Sequence, residues 1–313
     1  MSVIPLGGGP EFDRIRAIAR RLGAHAAELG DDCALVELGA TTLALSTDVS
    51  VEGVHFRREW ITPQEIGWRA TAAALSDLAA TGASAIGVLV ALTVPPAEQP
   101  PMFAALMEGV GAAVSASGGK VLGGDLSRGE AISLAITVVG TVERPVHRRG
   151  AQVGDRLWVT GQLGGARAAL EAWNAGRTPL AGARERFAKP IPRIDAGRWL
   201  AEHGATAMLD VSDGLAGDVG HLAAASKVAL VVDIGSLPLH PDITREAFAA
   251  RETPGVFAAR GGEDYELLVT MPREFSGSEA ISMTCIGDVH PGTGVAFFED
   301  GFELNISGYD HFA

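Results

Sequence analysis

Residues 62–96 read TPQEIGWRATAAALSDLAATGASAIGVLVALTVPP. The opening TPQE places a hydroxyl at the N-cap, Pro at N1 and Glu at N3 of a capping box, which predicts a helix that runs to about Thr81, just before Gly82. The uncharged run Ile86–Val94 ends at two prolines and predicts a buried strand. A helix that leads directly into a buried strand is typical of α/β proteins.

The same alternation of helices and strands continues on both sides of this segment. Further strands are predicted at Cys33–Leu38, Thr42–Ser46, Lys120–Leu122, Ile132–Val139 and Tyr265–Thr270. Around residues 142–154 the chain becomes polar and basic, and a strand at Arg156–Thr160 begins a second series of strands and helices. We therefore predict an α/β protein with mixed sheets and two domains, residues 1–142 and 143–313.

The composition fits a folded enzyme and argues against several other classes of protein. The chain has 313 residues, 47% of them hydrophobic, which is enough for two hydrophobic cores. A formal net charge of -13 and the lack of a basic run argue against nucleic-acid binding. Cys33 and Cys285 lie far apart without C-x-x-C spacing, so neither a zinc site nor a disulfide framework is indicated, and a reducing cytoplasm is the expected location.

No membrane segment and no secretory signal are expected. The N-terminal MSVIPLGGGPEFDR lacks a basic region followed by an apolar one. The stretch from Leu78 to Ala97 carries no charge, but it is rich in small and hydroxyl-bearing residues and ends in two prolines. We interpret it as a helix end, a turn and a buried strand.

Acidic residues recur beside Gly, Ser and Thr at the predicted strand ends and helix faces. The six segments are Gly30-Asp31-Asp32, Ser46-Thr47-Asp48, Ser76-Asp77, Gly123-Gly124-Asp125, Asp210-Val211-Ser212-Asp213-Gly214 and Gly261-Gly262-Glu263-Asp264. One such segment is also typical of an ordinary turn or helix cap, but carboxylates that converge in space would suit Mg²⁺, which prefers oxygen ligands. Asp77 gives the clearest signal, because an unpaired carboxylate in an Ala- and Leu-rich helix is costly unless it faces a metal, a partner or solvent.

The motifs of several other enzyme classes are missing from the sequence. Residues 118–121, GGKV, lack the spacing and the hydroxyl of a Walker A loop. Residues 161–165, GQLGG, loosely resemble a dinucleotide loop, but no acidic ribose partner follows at the right distance. Neither cysteine has a nearby His and no G-x-S-x-G elbow occurs, so covalent catalysis is not favoured. His55 and His221, judged alone, are more simply structural than catalytic.

Seven segments, in order along the chain, resemble the motifs of bacterial thiamine-monophosphate kinases. They are GDDCALV (30–36), STDVSVEGVHF (46–56), LSDLAATGA (75–83), GGDLSRG (123–129), DVSDGL (210–215), GGEDYELLVT (261–270) and GYDHF (308–312). The resemblance covers essentially the whole chain. The sequence departs from the family pattern at Leu126, where Thr is usual, at Ala74, where Asn is common, and at Thr81, where Met is common. None of these departures removes a carboxylate.

The resemblance implies the fold of the aminoimidazole-ribonucleotide synthetase superfamily. In that fold an N-terminal α/β domain pairs with its twin in a homodimer, a C-terminal α/β domain follows, and ATP lies in the cleft between the domains. The implied activity is Mg²⁺-dependent, in-line transfer of a phosphoryl group from ATP to thiamine monophosphate, which makes thiamine diphosphate in the last step of its biosynthesis. Because a phosphate monoester with a second pKa of about 6 is largely dianionic at neutral pH, no general base is needed.

The family's functional residues can be carried over position by position. The resemblance implies that several Mg²⁺ ions are held by Asp32, Ser46, Thr47, Asp48, Asp77, Asp125 and Asp210, with Asp213 supporting a further ion. It implies ATP contacts at Gly124, Asp125, Arg148 and Ser212, and thiamine phosphate contacts at His55, Glu263 and Tyr309. Since the chain is strongly acidic, bound cations would have to invert the local field before ATP could approach.

Other interpretations remain open at this point. Selenophosphate synthetase has a similar layout but needs Cys or selenocysteine in its N-terminal glycine-rich segment, and residues 5–12, PLGGGPEF, have neither. The hydrogenase-maturation relative carries a C-terminal Cys, whereas this sequence ends YDHFA. A non-catalytic nucleotide or Mg²⁺ sensor would bind ATP without turnover, and a purely structural acidic protein would leave the acidic turns unrelated in space.

Overall fold

The computed structural model describes residues 7–26 and 29–308, and within them the N-terminal unit contains a five-stranded sheet. Its elements are α1 (Pro10–Leu22), β1 (Ala34–Leu38), β2 (Thr41–Val51), α2 (Pro63–Thr81), β3 (Ser84–Val94), α3 (Pro100–Ala116), β4 (Lys120–Arg128) and β5 (Ser133–Val142). The strand order is β1-β2-β5-β3-β4, in which only β3 and β4 run parallel.

The second unit is built on a seven-stranded sheet. Its elements are β6 (Arg156–Thr160), α4 (Gly165–Asn174), α5 (Ala181–Ala188), α6 (Ile194–Glu202), β7 (Ala207–Asp210), α7 (Leu215–Ser226), β8 (Ala229–Asp233), α8 (Thr244–Ala250), α9 (Pro254–Ala259), β9 (Leu267–Met271), β10 (Met283–His290), β11 (Gly294–Glu299) and β12 (Phe302–Leu304). The order is β12-β11-β8-β10-β6-β9-β7, with β8 and β11 parallel. The first sheet ends at Val142 and the second begins at Arg156, and the predicted boundary between residues 142 and 143 lies at the start of this interval.

Helix α2 forms as the capping box predicts. The Glu65 amide donates to Thr62 Oγ1 at 3.3 Å, and the Thr62 amide donates back to Glu65 Oε2 at 2.8 Å. Gly82 ends the helix in the left-handed conformation with φ 75°. The stretch from Leu78 to Ala97 therefore contains a helix end, a turn and strand β3, as predicted, and no helix among the described residues is long and apolar enough to cross a bilayer.

Helix α2 is buried along most of its length because both units pack on it. It contacts strands β2 and β5 and helix α3 of the first unit, and helix α6 and strand β7 of the second. The close approach depends on glycine. A Cβ on Gly109 of α3 would lie 1.9 Å from the Gln64 carbonyl oxygen, and a Cβ on Gly197 of α6 would lie 2.0 Å from the Ala79 carbonyl oxygen. Residues on α2 are thus fixed between the two units.

Two strands that contain acidic segments are longer than the sequence predicts. Strand β2 continues past Ser46 to Val51, and β4 continues past Leu122 to Arg128. The prediction that these acidic segments lie at strand ends is therefore wrong. Ser46-Thr47-Asp48 and Gly123-Gly124-Asp125 lie inside strands, because pairing with neighbouring strands holds their glycine and aspartate residues in an extended conformation that local propensity does not favour.

One face of the first sheet is covered and the other is bare. Along β5 every second residue is buried, from Leu134 to Val142, and the intervening residues are half-exposed. The exposed large apolar side chains of this sheet are Val36, Leu38, Val49, Ile86, Leu89, Val121, Leu122 and Leu126. The described residues of a single chain thus leave an apolar surface uncovered.

Candidate active site

Three predicted metal ligands come together where the two units meet. Asp77 lies in the last turns of α2, Asp210 is the last residue of β7, and Asp32 precedes β1. Each offers a carboxylate oxygen, and these oxygens all lie within 4.8 Å of one another. Asp32 and Asp210 are buried and Asp77 is half-buried. Such a set of oxygen donors fits the preference of Mg²⁺.

The electrostatics of this acidic cluster (Asp32, Asp77 and Asp210) show an excess of negative charge. Burial raises the pKa of Asp77 well above its ordinary value, and the charges of Asp48, Asp210 and Asp32 raise it further. Burial, reinforced by Asp32, raises the pKa of Asp210 to about 7. The pKa of Asp48 rises to about 6 through burial and through Glu263 and Asp32. A bound divalent cation would relieve this repulsion.

Ser46 and Arg148 complete the immediate surroundings of the cluster. Ser46 Oγ donates to Asp77 Oδ2 at 2.5 Å. Arg148 donates two hydrogen bonds to Asp32, from Nη2 to Oδ1 at 2.7 Å and from Nε to Oδ2 at 3.1 Å. Burial still raises the pKa of Asp32, so the pairing with this single arginine does not offset the loss of solvation. Arg148, predicted as an ATP contact, therefore lies at the rim of the cluster.

The neighbouring pair of Asp31 and His147 was not predicted as part of the site. His147 Nδ1 lies 2.6 Å from Asp31 Oδ2, and the Arg148 amide donates to Asp31 Oδ1 at 2.9 Å. Burial opposes ionisation of Asp31, but these hydrogen bonds hold its pKa below the ordinary value. Asp31 therefore anchors the segment that carries Arg148. Residues 31 and 147 are 116 positions apart, so no local signal could have paired them.

Two predicted ligands face away from the cluster within a single chain. Ser46 and Asp48 share one face of β2, so Thr47 points to the bare face, where its Oγ1 lies 3.1 Å from Thr137 Oγ1. Asp125 lies on the exposed edge strand β4, and its register with Ala91 places it on the same bare face. Their contacts with metal remain predictions.

Gly124, predicted as an ATP contact, has a packing role in this structure. A Cβ at this position would lie 1.9 Å from the carbonyl oxygen of Val90 on the adjacent strand β3. Only glycine allows β4 to approach β3 this closely at residue 124. The packing of the two strands therefore already requires glycine at position 124, and its contact with the nucleotide remains a prediction.

A second cluster lies beside the first. Asp213, which was predicted to support a further ion, has its ligand atom within 4.8 Å of those of Asp218 and His221. Within the described part of the chain, Asp218 Oδ2 and His221 Nδ1 have no hydrogen-bond partner. Burial raises the pKa of Asp218 well above its ordinary value and lowers that of His221 to about 4, which leaves a neutral imidazole. Asp218 and His221 lie three residues apart on α7, a spacing that could have indicated a shared face.

A cavity of about 600 Å³ opens between the two units, and Asp213 of the second cluster is among the residues that line it. His55 reaches it from the loop between β2 and α2 of the first unit, and Glu263 lines it from the second unit together with Ser212 and Asp213. The predicted substrate contacts His55 and Glu263 thus share one cavity with the predicted ATP contact Ser212. Tyr309, the third predicted substrate contact, lies outside the described residues.

Known families and structures match almost the whole chain. Residues 30–142 match the family described as AIR synthase related protein, N-terminal domain, and residues 152–281 match AIR synthase related protein, C-terminal domain. The chain is 36% identical to thiamine-monophosphate kinase of Aquifex aeolicus over 96% of this chain and 98% of that protein. It is 34% identical to thiamine-monophosphate kinase of Salmonella typhimurium over 96% of each.

Solved structures agree with these sequence relationships. AaThiL complexed with AMPPCP and TMP superimposes with a TM-score of 0.89 at 35% identity, over 100% of this chain and 99% of that one. The hydrogenase maturation protein HypE in complex with ATP, at 18% identity and a TM-score of 0.73, shares the fold alone. The predicted α/β fold of the aminoimidazole-ribonucleotide synthetase type is therefore confirmed. The chain belongs to the thiamine-monophosphate kinase family.

Proposed function

We propose that this protein is a kinase that transfers a phosphoryl group from ATP to thiamine monophosphate and so makes thiamine diphosphate. The observation that carries the proposal is the convergence of three carboxylates where the two units meet. One of them, Asp210, is followed two and three residues later by Ser212 and Asp213, which line the cavity between the units. The chain matches AaThiL complexed with AMPPCP and TMP along its entire length, and AMPPCP is a methylene analogue of ATP. Dedicated ATP-binding loops of the P-loop type are not required, because metal-bridged carboxylates can hold a triphosphate.

The residues of the acidic cluster would hold Mg²⁺. Asp32, Asp77 and Asp210 supply converging oxygen atoms, and Ser46 hydrogen-bonds to Asp77, so the donor set fits the ion. We propose that Asp213, with Asp218 and His221, holds a further ion. When bound, Mg²⁺ supplies charge neutralisation at the phosphates and stabilises the charge that develops during transfer. Arg148 would add a guanidinium contact to the phosphate oxygens from the rim of the cluster.

The acceptor needs positioning rather than proton removal. A phosphate oxygen of thiamine monophosphate forms the new bond to the γ-phosphorus, and the bond from that phosphorus to the leaving ADP oxygen breaks in the same step. His55 and Glu263 would hold the thiamine portion from opposite sides of the cavity, one from each unit. Because the acceptor phosphate is largely dianionic at neutral pH, the absence of a general base from this proposal is consistent with its chemistry.

The bare face of the first sheet supports the proposal of a homodimer. Exposed Leu89 and Val49 lie on that face together with Val36 and Leu38, and a second copy would bury these side chains. Thr47 and Asp125 lie on the same face, so their proposed metal contacts depend on how the second copy packs there. Leu89→Glu should convert a dimer to a monomer in analytical ultracentrifugation. A wild-type protein that sediments as a monomer would contradict the proposal.

The activity can be tested directly by mass spectrometry. Purified protein is incubated with ATP, Mg²⁺ and thiamine monophosphate, with thiamine and aminoimidazole precursors as parallel acceptors. We expect thiamine diphosphate from the monophosphate alone, with an equal amount of ADP. Binding of ATP without any product would favour a sensor or a different acceptor. A labelled phospho-protein trapped from γ-labelled ATP would contradict direct transfer.

A further inference from the structure

Glu263 lies in the cavity on an unusual backbone. Its φ is 70°, and that of Tyr265 is 50°, both in the left-handed region that side-chain-bearing residues rarely adopt. Hydrogen bonds hold this conformation, because the Glu263 amide donates to the Ser212 carbonyl at 2.7 Å and the Tyr265 amide donates to the Val211 carbonyl at 2.8 Å. The surrounding structure thus enforces one placement of the Glu263 side chain.

Only one of the two oxygens of the Glu263 carboxylate accepts hydrogen bonds from the described residues. The buried guanidinium of Arg69 donates to Oε2, and the Tyr265 hydroxyl donates to the same oxygen at 2.6 Å. Among the described residues no hydrogen bond ends on Oε1 of this side chain, which is 29% exposed and lines the cavity. Oε1 is therefore left as an oriented acceptor.

Arg69 is itself fixed from several directions. Its side chain is 4% exposed, its Nη1 donates to the Phe187 carbonyl, and its guanidinium carbon lies 3.7 Å from the centroid of the Phe187 ring. Phe187 also lines the cavity. Arg69 lies eight residues before Asp77 on the rigid helix α2, which corresponds to a rise of about 12 Å. One helix therefore supports both the acidic cluster and the Glu263 acceptor.

The chemistry of the substrate limits what Oε1 can accept. A carboxylate repels the phosphate of thiamine monophosphate, so the ring portion is the part of the substrate that Glu263 can contact favourably. Its pairing with Arg69 leaves a formally neutral ion pair, which weakens attraction to a bare cation and retains hydrogen-bond acceptance. At neutral pH the amino group of the pyrimidine ring is the N–H donor that the ring portion offers.

We propose that Arg69 and Tyr265 are positioning residues that orient Glu263 so that its free oxygen accepts a hydrogen bond from the pyrimidine amino group of the substrate. This inference rests on the proposed function and names how that site selects its acceptor. A site built around a hydrogen bond rejects an analogue that lacks the donor, because its own acceptor is then left unpaired.

The test compares thiamine monophosphate with the analogue in which an oxo group replaces the pyrimidine amino group. Calorimetric titration with Mg²⁺ and AMPPCP present gives the ratio of the two dissociation constants, and steady-state kinetics gives KM and kcat for each substrate. We expect wild type to favour the amino compound by roughly 100-fold and Arg69→Gln and Tyr265→Phe to lower that ratio to below about 10-fold. KM for thiamine monophosphate should rise while KM for ATP stays within about twofold of wild type.

Two further variants separate positioning from general damage. In a Glu263→Gln background, Arg69→Gln should cause no additional loss of selectivity, because its effect acts through Glu263. Arg184→Gln is the matched control, since Arg184 pairs with Glu65 at the start of the same helix and does not line the cavity. It should leave the ratio unchanged. If Arg69→Gln fails to fold, Tyr265→Phe removes only a hydroxyl and still decides the question.

The outcomes for this inference and for the proposed function are distinct. Wild-type turnover with unchanged selectivity in both Arg69→Gln and Tyr265→Phe would overturn the positioning roles and leave the kinase activity established. Selective binding without turnover, lost in the variants, would support the positioning roles and reject the kinase. Wild-type protein that does not bind thiamine monophosphate, or an additive effect of Arg69→Gln and Glu263→Gln, would also overturn the inference.

Discussion

Glu266 and the acidic cluster are both buried carboxylate groups, but the protein neutralises them in different ways. Glu266 accepts hydrogen bonds from Arg193 at 2.6 and 2.7 Å, from Arg186 at 2.5 Å and from Thr160 Oγ1 at 2.7 Å. Burial opposes its ionisation, yet the two arginines hold its pKa below the ordinary value. In the acidic cluster Arg148 donates two hydrogen bonds to Asp32, and the pKa values of all three carboxylates lie above their ordinary value.

The difference separates a structural ion pair from a site that can take a cation. A buried carboxylate that already has its counter-charges contributes to one folded arrangement and has no need for a metal. A group of carboxylates with too few counter-charges is costly in the isolated chain, and such clusters are common at functional sites.

Asp77→Asn should have the largest effect on function. The substitution keeps the shape of the side chain and removes a proposed metal ligand, so we expect turnover to fall by roughly 10³-fold. Thermal unfolding in EDTA should occur at the same or a higher temperature, because the variant removes one repelling charge. The control is Asp288→Asn at an exposed position on β10. Near-normal turnover in the Asp77 variant would reject the assignment of the cluster.

Glu266→Gln should affect stability rather than chemistry. The change leaves Arg186 and Arg193 without their shared negative partner, and breaking a buried ion pair on one side costs about 3 kcal/mol. Urea denaturation measures the loss, and KM for ATP of the folded fraction should stay near that of wild type. Glu303→Gln, at an exposed position, serves as the comparison. A loss below about 1 kcal/mol would mean that the network is not structural.

Asp125→Asn tests the bare face of the first sheet. If Asp125 is a metal ligand, turnover should fall by roughly 10²-fold or more while stability stays unchanged, because the side chain is exposed and bonds mainly to Ser127. Ser127→Ala is the matched control for the loss of that hydrogen bond. Equal turnover in the Asp125 variant and wild type would remove Asp125 from the proposed ligand set.

The pH dependence of stability should be the smallest of these effects. Burial raises the pKa of Asp210 to about 7 and that of Asp48 to about 6, so between their ordinary value of 3.8 and pH 7 the folded chain holds more protons than the unfolded one. Stability without metal is therefore greatest at the low end of this window and should fall as pH rises through it, because the folded chain releases its extra protons there. Melting in EDTA from pH 5 to 8 measures the decline, and Mg²⁺ should reduce it. A profile that rises with pH in EDTA would contradict the expected sign.

The pKa of Glu266 shifts in the opposite direction to the pKa values of Asp210 and Asp48. Its folded pKa lies below the ordinary value of 4.5, so its stabilising effect is present above that value and is lost as pH falls below it. In a plot of folding stability against pH, Glu266 should therefore account for a loss of stability at low pH, and Asp48 and Asp210 for a loss as pH rises toward 7.

The sequence by itself predicts those features that depend on residues close together in the chain. The capping box at Thr62 and Glu65 and the end of α2 at Gly82 involve hydrogen bonds within a few residues, and both form as predicted. The buried strand β3 follows from its uncharged run. The acidic motifs also identify the residues of the acidic cluster, although they do not show that Asp32, Asp77 and Asp210 meet.

Local sequence patterns do not predict strand register or burial. Strand β10, which the sequence does not predict, contains Gly287 and a bulge, and it forms because it pairs with both β6 and β8. Register also decides that Thr47 and Asp125 point to the bare face, while Asp48 points toward the cluster. A strand's propensity says nothing about which of its faces becomes covered.

Charge pairing over long separations is the other feature that tertiary structure decides. Arg148 meets Asp32 across 116 residues and Arg69 meets Glu263 across 194, so each pair depends on how α2 and the two sheets pack. The sequence determined which residues carry charge and where the local turns and helices begin. The folded arrangement decided which charges are neutralised and which are left to bind a cation or a substrate, because burial and distance set the strength of every electrostatic interaction.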